Sequence, residues 1–478
     1  MIPTPLQRAS CWLAIGIALA LLLPRLAQDG MFMDGELYAA VAHGQAHGFG
    51  TFWEPRFSAI GLAGLTTFHE HPPLTFGLQA QWFRLFGSAF WVERAYALLM
   101  AILTAWLMVL TWRSMVPLDH VIRRMAWYPI LLWMIIPTVH WCFHNNMQEN
   151  TMGVFTMAAV WFAVRARNGH WWVLHLTAAV CVFLASMAKG LPGLYPLVAP
   201  VLIQLALRSP GMVRAVLASA LMVGTVAALY ALLMLWPEAN ASLSTYVEQR
   251  LLHRIAEVPT VENRSATLEM LFTNMLGPLL LTGALMLWAS RQKQHVIGRI
   301  VGWPLAMALI GLSGVAPLML TMVQKSFYMA AALPMLALAL ALWSAPALAR
   351  ILVLAADHSK VIRVLRILAI ITVSGSVVAS VVLFGSPGRD RELLLDVHRI
   401  GAVVPPHTTV GLPSAMWNDW SLQTYLVRYH FVSLDDRTPG LHWYITSKGE
   451  RPPEAFAYQR MDNGLTTLEL WVRTTLDE

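Results

Sequence analysis

Residues 11–38 read CWLAIGIALALLLPRLAQDGMFMDGELY. The run Cys11–Leu23 carries no charge, and the first ionisable side chain after it is Arg25. Beyond it follow two carboxylates separated by one glycine, Asp34 and Glu36. A run of about 20 apolar residues is long enough to cross the hydrocarbon core as a helix. The stretch therefore reads as a membrane span over 9–27 with an acidic motif just outside it. A secretory leader is the competing reading, since Arg8 precedes the run and Ala27 offers a cleavage site. The remainder of the chain argues for a span, because comparable apolar runs recur throughout it.

Of the 478 residues, 57% are hydrophobic and 12% charged. Soluble domains carry roughly 25% charged residues. With a mean hydropathy of +0.57, the composition excludes an ordinary soluble enzyme and a disordered chain and points to a polytopic membrane protein. Further spans are expected near 94–112, 126–142, 151–165, 171–188, 191–207, 213–236, 269–290, 300–322, 327–348 and 367–385, about eleven in all with the first. The stretch 349–366 carries Arg350, Lys360, Arg363 and Arg366 and reads as an amphipathic segment on the cytoplasmic surface. With the N-terminus cytoplasmic, the cytoplasmic segments hold 15 Lys and Arg against two acidic residues, Asp119 and Asp357. That asymmetry orients the protein. It places the loop 28–93, the loop 237–268 and the tail from 386 outside, and it explains the net charge of +7 without nucleic acid. The cysteines Cys11, Cys142 and Cys181 supply neither a disulfide framework nor a zinc motif.

Two parts are expected: a membrane domain, 1–385, with a large first outer loop, and a small soluble α/β domain, 386–478. In the loop, 37–46 and 79–86 read as short amphipathic helices at the interface. In the tail, 390–400 and 417–428 read as helices. Strands are expected at 408–411, 431–434, 443–446, 456–460 and 468–472, between turns rich in Pro, Gly and Asp.

Five polar clusters break the apolar pattern. In Asp34-Gly35-Glu36, one carboxylate can act as a base on a hydroxyl or the two can hold a cation. The plainer reading is an acidic helix start with Asp34 as N-cap. In His69-Glu70-His71-Pro72-Pro73 the prolines fix an extended backbone and so aim Glu70 and His71. Imidazole and carboxylate there suit a metal ion, or form a polar interface turn. His144-Asn145-Asn146-Met147-Gln148-Glu149-Asn150 puts an amide-rich group and a carboxylate at a span end, or supplies helix caps. Lys189 and Lys325 each close a cluster as a lone cation. Each is a phosphate ligand or a snorkelling lysine. Arg56 and Arg84 place the same charge in the first loop. The derived topology brings all five clusters to one face of the membrane, which suits an anionic, lipid-anchored substrate.

Asp34-Gly35-Glu36-Leu37-Tyr38, Glu70-His71-Pro72-Pro73-Leu74, Glu149-Asn150-Thr151-Met152, Lys189-Gly190 and Lys325-Ser326-Phe327-Tyr328 follow the order seen in GT-C integral-membrane glycosyltransferases. The chain resembles bacterial relatives of the lipid A 4-amino-4-deoxyarabinose transferase, and also the dolichyl-phosphate-mannose protein mannosyltransferases. The resemblance covers about residues 10–345. It implies a GT-C type fold in the bacterial inner membrane with a periplasmic active site and C-terminal domain. It implies transfer, with inversion, of a sugar from a polyprenyl-phosphate donor to a lipid A-like lipid, a protein or a glycan. It implies Asp34, Glu36 and Glu149 as catalytic carboxylates and Arg56, Arg84, His71, Lys189 and Lys325 as ligands of the donor phosphate. Glu70 and His253 would be the metal ligands if a divalent ion takes part. His71 stands where the arabinose transferases carry lysine, and Glu149 where aspartate is usual. The alternative is a transporter or flippase of a lipid-linked or anionic solute, which would show related halves and broken helices near the midplane. A scaffold working through its tail would not need the polar clusters.

Overall fold

The computed structural model describes residues 4–61, 66–209, 211–248, 259–291, 300–356 and 358–474. The chain forms two compact units. One comprises Met1–Leu26, Ala97–His144 and Gln148–Leu383, and the other Ala27–Tyr96, Asn145–Met147 and Phe384–Glu478.

The first unit is helical. Among the described residues, eight helices are long and apolar enough to cross a membrane: Pro5–Leu26, Val92–Met115, Trp171–Lys189, Met212–Leu233, Ala266–Arg291, Trp303–Leu320, Ser326–Ala355 and Ser359–Leu383. Three of the eleven expected spans take other forms. The segment near 126–142 is broken into Trp127–Met134 and Pro137–His144, because a residue preceding proline, here Ile136, disfavours the helical region. The segment near 191–207 starts as a 3₁₀ turn, Leu191–Val198, and becomes α-helical only at Ala199–Leu207. Pro192 and Pro196 remove two backbone donors there. The segment near 151–165 is the helix Gln148–Arg165, whose first turn is polar. The stretch 349–366 is not a separate surface segment. It is divided between the ends of two long helices, Leu333–Ala355 and Ser359–Leu383. Helices Thr4–Leu26 and Ser359–Leu383 run parallel and close together, such that a Cβ on Gly16 would lie 2.1 Å from Thr372 Oγ1. Ile370, Ile371, Val377, Val381 and Val382 on the latter remain exposed, as expected of side chains that face lipid.

The second unit contains a five-stranded sheet. Its strands are β1 (Thr409–Gly411), β2 (Ser433–Asp435), β3 (Trp443–Ser447), β4 (Tyr458–Met461) and β5 (Leu468–Arg473). The order is β2-β1-β3-β5-β4. β1 pairs in parallel with β2 and β3, while β5 pairs antiparallel with β3 and β4. Leu394, Val397 and Ile400 of helix Arg391–Gly401 and Leu422, Tyr425 and Leu426 of helix Trp420–His430 close the core with Val410, Leu434, Ile445 and Leu470. Asp396 anchors that layer by accepting from the amides and hydroxyls of Thr466 and Thr467 at 2.7–3.1 Å, and from the Leu468 amide. Burial opposes its ionisation, yet these donors outweigh burial and lower its pKa.

Helix Met33–Ala46 packs against Leu74–Phe86 and Trp420–His430. It is not the interfacial amphipath expected over 37–46. Ten of its residues are buried, Gly35, Glu36 and Tyr38–Gln45 without interruption, so it is a core helix of this unit. Arg428 is wholly buried and meets Glu93 through Nη2 to Oε2 at 2.7 Å and Nε to Oε1 at 3.2 Å. It also donates to Ser88 O and Ala89 O. Burial disfavours its charge, but Glu93 outweighs that and raises its pKa. Tyr429 donates to Asp29 at 2.6 Å.

Candidate functional site

In the helical unit, three of the predicted clusters meet. Helix Trp171–Lys189 ends at Lys189, because Gly190 takes φ +82°, a conformation open to glycine and costly for other residues. Glu149 lies in the first turn of Gln148–Arg165, where a negative charge is favoured by the helix dipole, as a positive one is in a last turn. These two helices pack together, and Glu149 Oε1 lies 2.6 Å from Lys189 Nζ. The side chains are 0% and 5% exposed, so this ion pair has left water. Lys189 Nζ also sits 5.8 Å from the ring centre of Phe327 and 5.4 Å from that of Tyr328, within cation–π range. Neighbouring Asn150 donates to Cys142 O at 2.9 Å. Gln148 is fully buried, and among the described residues neither of its amide atoms has a partner. Lys325, placed by the sequence in the same phosphate-binding set, is exposed to solvent.

In the second unit, the first and third clusters join the Glu70-His71 motif. Gly35 lies against residue 145, such that a Cβ on it would fall 1.8 Å from Asn145 O. Asn145 Oδ1 accepts from Phe32 N at 2.7 Å. Asn146 sits at φ 48°, which asparagine tolerates better than most residues. It exchanges two amide hydrogen bonds with Gln79, at 3.0 and 3.1 Å. Tyr38 Oη and His71 Nε2 are 3.2 Å apart, with the rings edge to face. Asp34 is half-buried in the first turn of its helix; it is not the cap, since Phe32 holds that position. Glu70 is half-buried and His71 buried.

Glu36 departs from expectation. It is 0% exposed, and among the described residues neither carboxyl oxygen has a hydrogen-bond partner. Burial first, and Glu93 next, push its pKa well above the usual carboxylate range. Arg428 is already paired with Glu93, and the opposing attraction of Arg428 and Arg94 does not offset that rise. Among the described residues neither ring nitrogen of buried His43 has a hydrogen-bond partner, and burial first and Arg428 next push its pKa down to about 2. Arg84 is exposed and donates to Gln45 O at 3.3 Å, closing the C-terminal carbonyls of helix Met33–Ala46. It also borders a cavity of about 440 Å³ with Gln45, Thr51, Phe52 and Gln81. Arg56 is exposed. His253 lies outside the described residues. Among the described residues no three His, Cys, Asp or Glu side chains are grouped to hold a metal ion.

The sequence reading treated Glu149 and Lys189 as separate groups and so missed their pairing. Its only trace was that each is a single ionisable residue at the end of an apolar run. It also missed the Arg428–Glu93 pair, signalled by an arginine at a core position of an amphipathic helix.

No protein-family model matches the chain, and no curated protein matches it in sequence. Its fold does match solved structures. The structure of ArnT from Cupriavidus metallidurans bound to undecaprenyl phosphate aligns over 97% of this chain and 98% of that one, with TM-score 0.66 and 14% identity. The apo structure of the same protein aligns with TM-score 0.63. The oligosaccharyltransferase AglB from Archaeoglobus fulgidus, in complex with an inhibitory peptide and a dolichol-phosphate, aligns with TM-score 0.53 and 13% identity over 92% of this chain and 69% of that one. The chain has the GT-C type fold expected from its motifs: a helical membrane part with a small C-terminal sheet.

Proposed function

We propose that this protein is a glycosyltransferase of the bacterial inner membrane that moves a sugar from a polyprenyl-phosphate donor to a periplasmic acceptor, with inversion. The observation that carries the reading is the meeting of Glu149, Lys189 and Phe327-Tyr328. Three motifs far apart in sequence converge on one buried cation in a fold that matches an undecaprenyl-phosphate-binding protein along nearly its whole length. A lone desolvated lysine and carboxylate are costly to bury. Function is a sufficient reason to retain them at a span end.

In this reading the acceptor hydroxyl attacks the anomeric carbon and the bond to the donor phosphate breaks. The electron pair leaves with the phosphate, and Asp34 receives the hydroxyl proton. Lys189, held in direction by Glu149, stabilises the charge that develops on the phosphate. Arg56, Arg84 and Lys325 are the exposed cations available to steer the anionic headgroup. His71 brings a positive charge to the phosphate only when protonated, and its contact with Tyr38 Oη at 3.2 Å fixes its orientation. Because Glu36 is wholly buried, we assign the base role to Asp34 alone.

The test uses the purified full chain in detergent with a radiolabelled undecaprenyl-phosphate sugar and lipid or protein acceptors. Transfer by the wild type that is lost in Asp34→Ala, with unchanged melting, supports the reading. Equal transfer by both proteins removes Asp34 from the mechanism. Absence of transfer across pentosyl and hexosyl donors, with donor binding also absent, overturns the donor class.

A further inference from the structure

Away from the proposed site, the helical unit holds a cavity of about 480 Å³ at the N-terminal end of helix Thr4–Leu26 and the C-terminal end of helix Val92–Met115. Three arginines line it: Arg113 on the long helix, and Arg123 and Arg124 on the 3₁₀ turn Val121–Met125. Arg123 is fixed in place, donating to Arg113 O at 2.6 Å and to Val116 O. Gln7 Nε2 holds the Arg124 carbonyl at 2.5 Å, and the Trp112 indole donates to Ile122 O at 3.2 Å. These bonds brace the turn. The guanidinium groups of Arg113 and Arg124 are exposed and make no hydrogen bond or ion pair among the described residues. Asp119 is the one carboxylate at the rim, and it too makes no ion pair among the described residues. The cavity is therefore a concave cationic site with two uncommitted guanidinium groups.

A second observation identifies the ligand's other half. Ile102, Trp106 and Arg113 are four and seven residues apart, so they share one face of their helix. Ile102 is 56% exposed and Trp106 55%. An apolar, outward-facing stripe thus runs along the span and ends at the cationic cavity. Leu118, 85% exposed, continues the apolar surface at its rim. A free anion would use the arginines and leave the stripe idle. A glycerophospholipid would use both.

We propose that Arg113, Arg123 and Arg124 form a binding site for the phosphodiester headgroup of an anionic phospholipid, whose acyl chain lies along Trp106 and Ile102. Basic pockets at span ends bind such headgroups. The proposal concerns the membrane face opposite the C-terminal end of helix Thr4–Leu26 and does not depend on the transfer reaction.

The test is made on the full chain, delipidated in a zwitterionic detergent and titrated with phosphatidylglycerol, phosphatidylethanolamine or glycerol 1-phosphate. Bound lipid is counted by native mass spectrometry. The expected result is one phosphatidylglycerol retained in preference to phosphatidylethanolamine, with affinity at least about tenfold weaker in Arg113→Gln/Arg124→Gln. Lys360→Gln/Arg363→Gln removes the same charge from the exposed start of helix Ser359–Leu383 and should leave binding unchanged. Trp106→Ala should weaken phosphatidylglycerol and leave glycerol 1-phosphate as it was. Equal loss in both double variants would reduce the effect to general charge and overturn the site. Glycerol 1-phosphate binding as tightly as the lipid would make this a soluble-anion site and overturn the lipid assignment. If Arg113→Gln/Arg124→Gln does not fold, Arg113→Lys/Arg124→Lys serves instead, with retained charge, lost planar geometry and an expected intermediate affinity.

Discussion

Lys189→Met separates what the Glu149–Lys189 pair does for stability from what it does for chemistry. At 2.6 Å, the attraction amounts to roughly 6 kcal/mol at an effective dielectric of about 20. Desolvation of two charges offsets most of it, so the pair as a whole contributes little net stability. Removing one partner is different. With Lys189 gone, a carboxylate 0% exposed is left without its counter-charge, at a cost of about 3–5 kcal/mol. Glu149→Leu strands the ammonium at a similar cost. The double variant Glu149→Leu/Lys189→Met buries no charge and should return to within about 2 kcal/mol of the wild type. Unfolding in detergent, followed through the fluorescence of the 20 tryptophans, reads these differences. Transfer measured on the same preparations should stay low, by about 10²–10³-fold, in Lys189→Met and in the double variant alike, because the donor phosphate has lost its buried cation. Recovery of transfer along with stability would show the pair to be architectural. Single variants as stable as the wild type would show that the charges are not desolvated, and the magnitude above would fall with them.

Asp34→Asn should lower the transfer rate by about 10²–10⁴-fold and leave the unfolding transition in place; a comparable loss of both would make Asp34 structural. Gly35→Ala must displace Asn145 O, 1.8 Å from the new Cβ, and should destabilise the protein by about 1–3 kcal/mol or more, seen as a lower melting temperature. Glu36 has a raised pKa in the folded state, so its contribution is fully present below the ordinary glutamate value of about 4.3 and is lost as pH rises towards the raised value. Glu36→Gln should therefore gain stability relative to the wild type between pH 5 and pH 8, and parallel melting curves would contradict the neutral assignment. Asp396 has the opposite sign. Its folded pKa is lowered, so its contribution is present above about 3.9 and is lost as pH falls through the lowered value. Asp396→Asn should speed hydrogen exchange across Arg391–Gly401 and β5 at neutral pH and remove the loss of protection, relative to intrinsic exchange rates, that the wild type shows as pH falls.

Apolar runs of membrane-spanning length, basic residues at their ends and alternating patterns between turn signals are local properties. They sufficed for the membrane class, for most spans and for all five strands and both helices of the tail. Local properties failed where a helix had to end or bury itself for reasons supplied by distant segments. Nothing in residues 33–46 announces a core helix, since the groups that cover it lie in Leu74–Phe86 and Trp420–His430. The five polar clusters were legible as exceptions to the apolar pattern, and their order pointed to the GT-C type fold. Their chemistry was not legible. Whether a carboxylate is a base, one half of an ion pair or a neutral core group depends on desolvation and on the charges within a few ångströms. Glu149 beside Lys189 and Glu36 among Arg94, Arg428, Asp29 and Glu93 owe those neighbours to packing between segments that are remote along the chain.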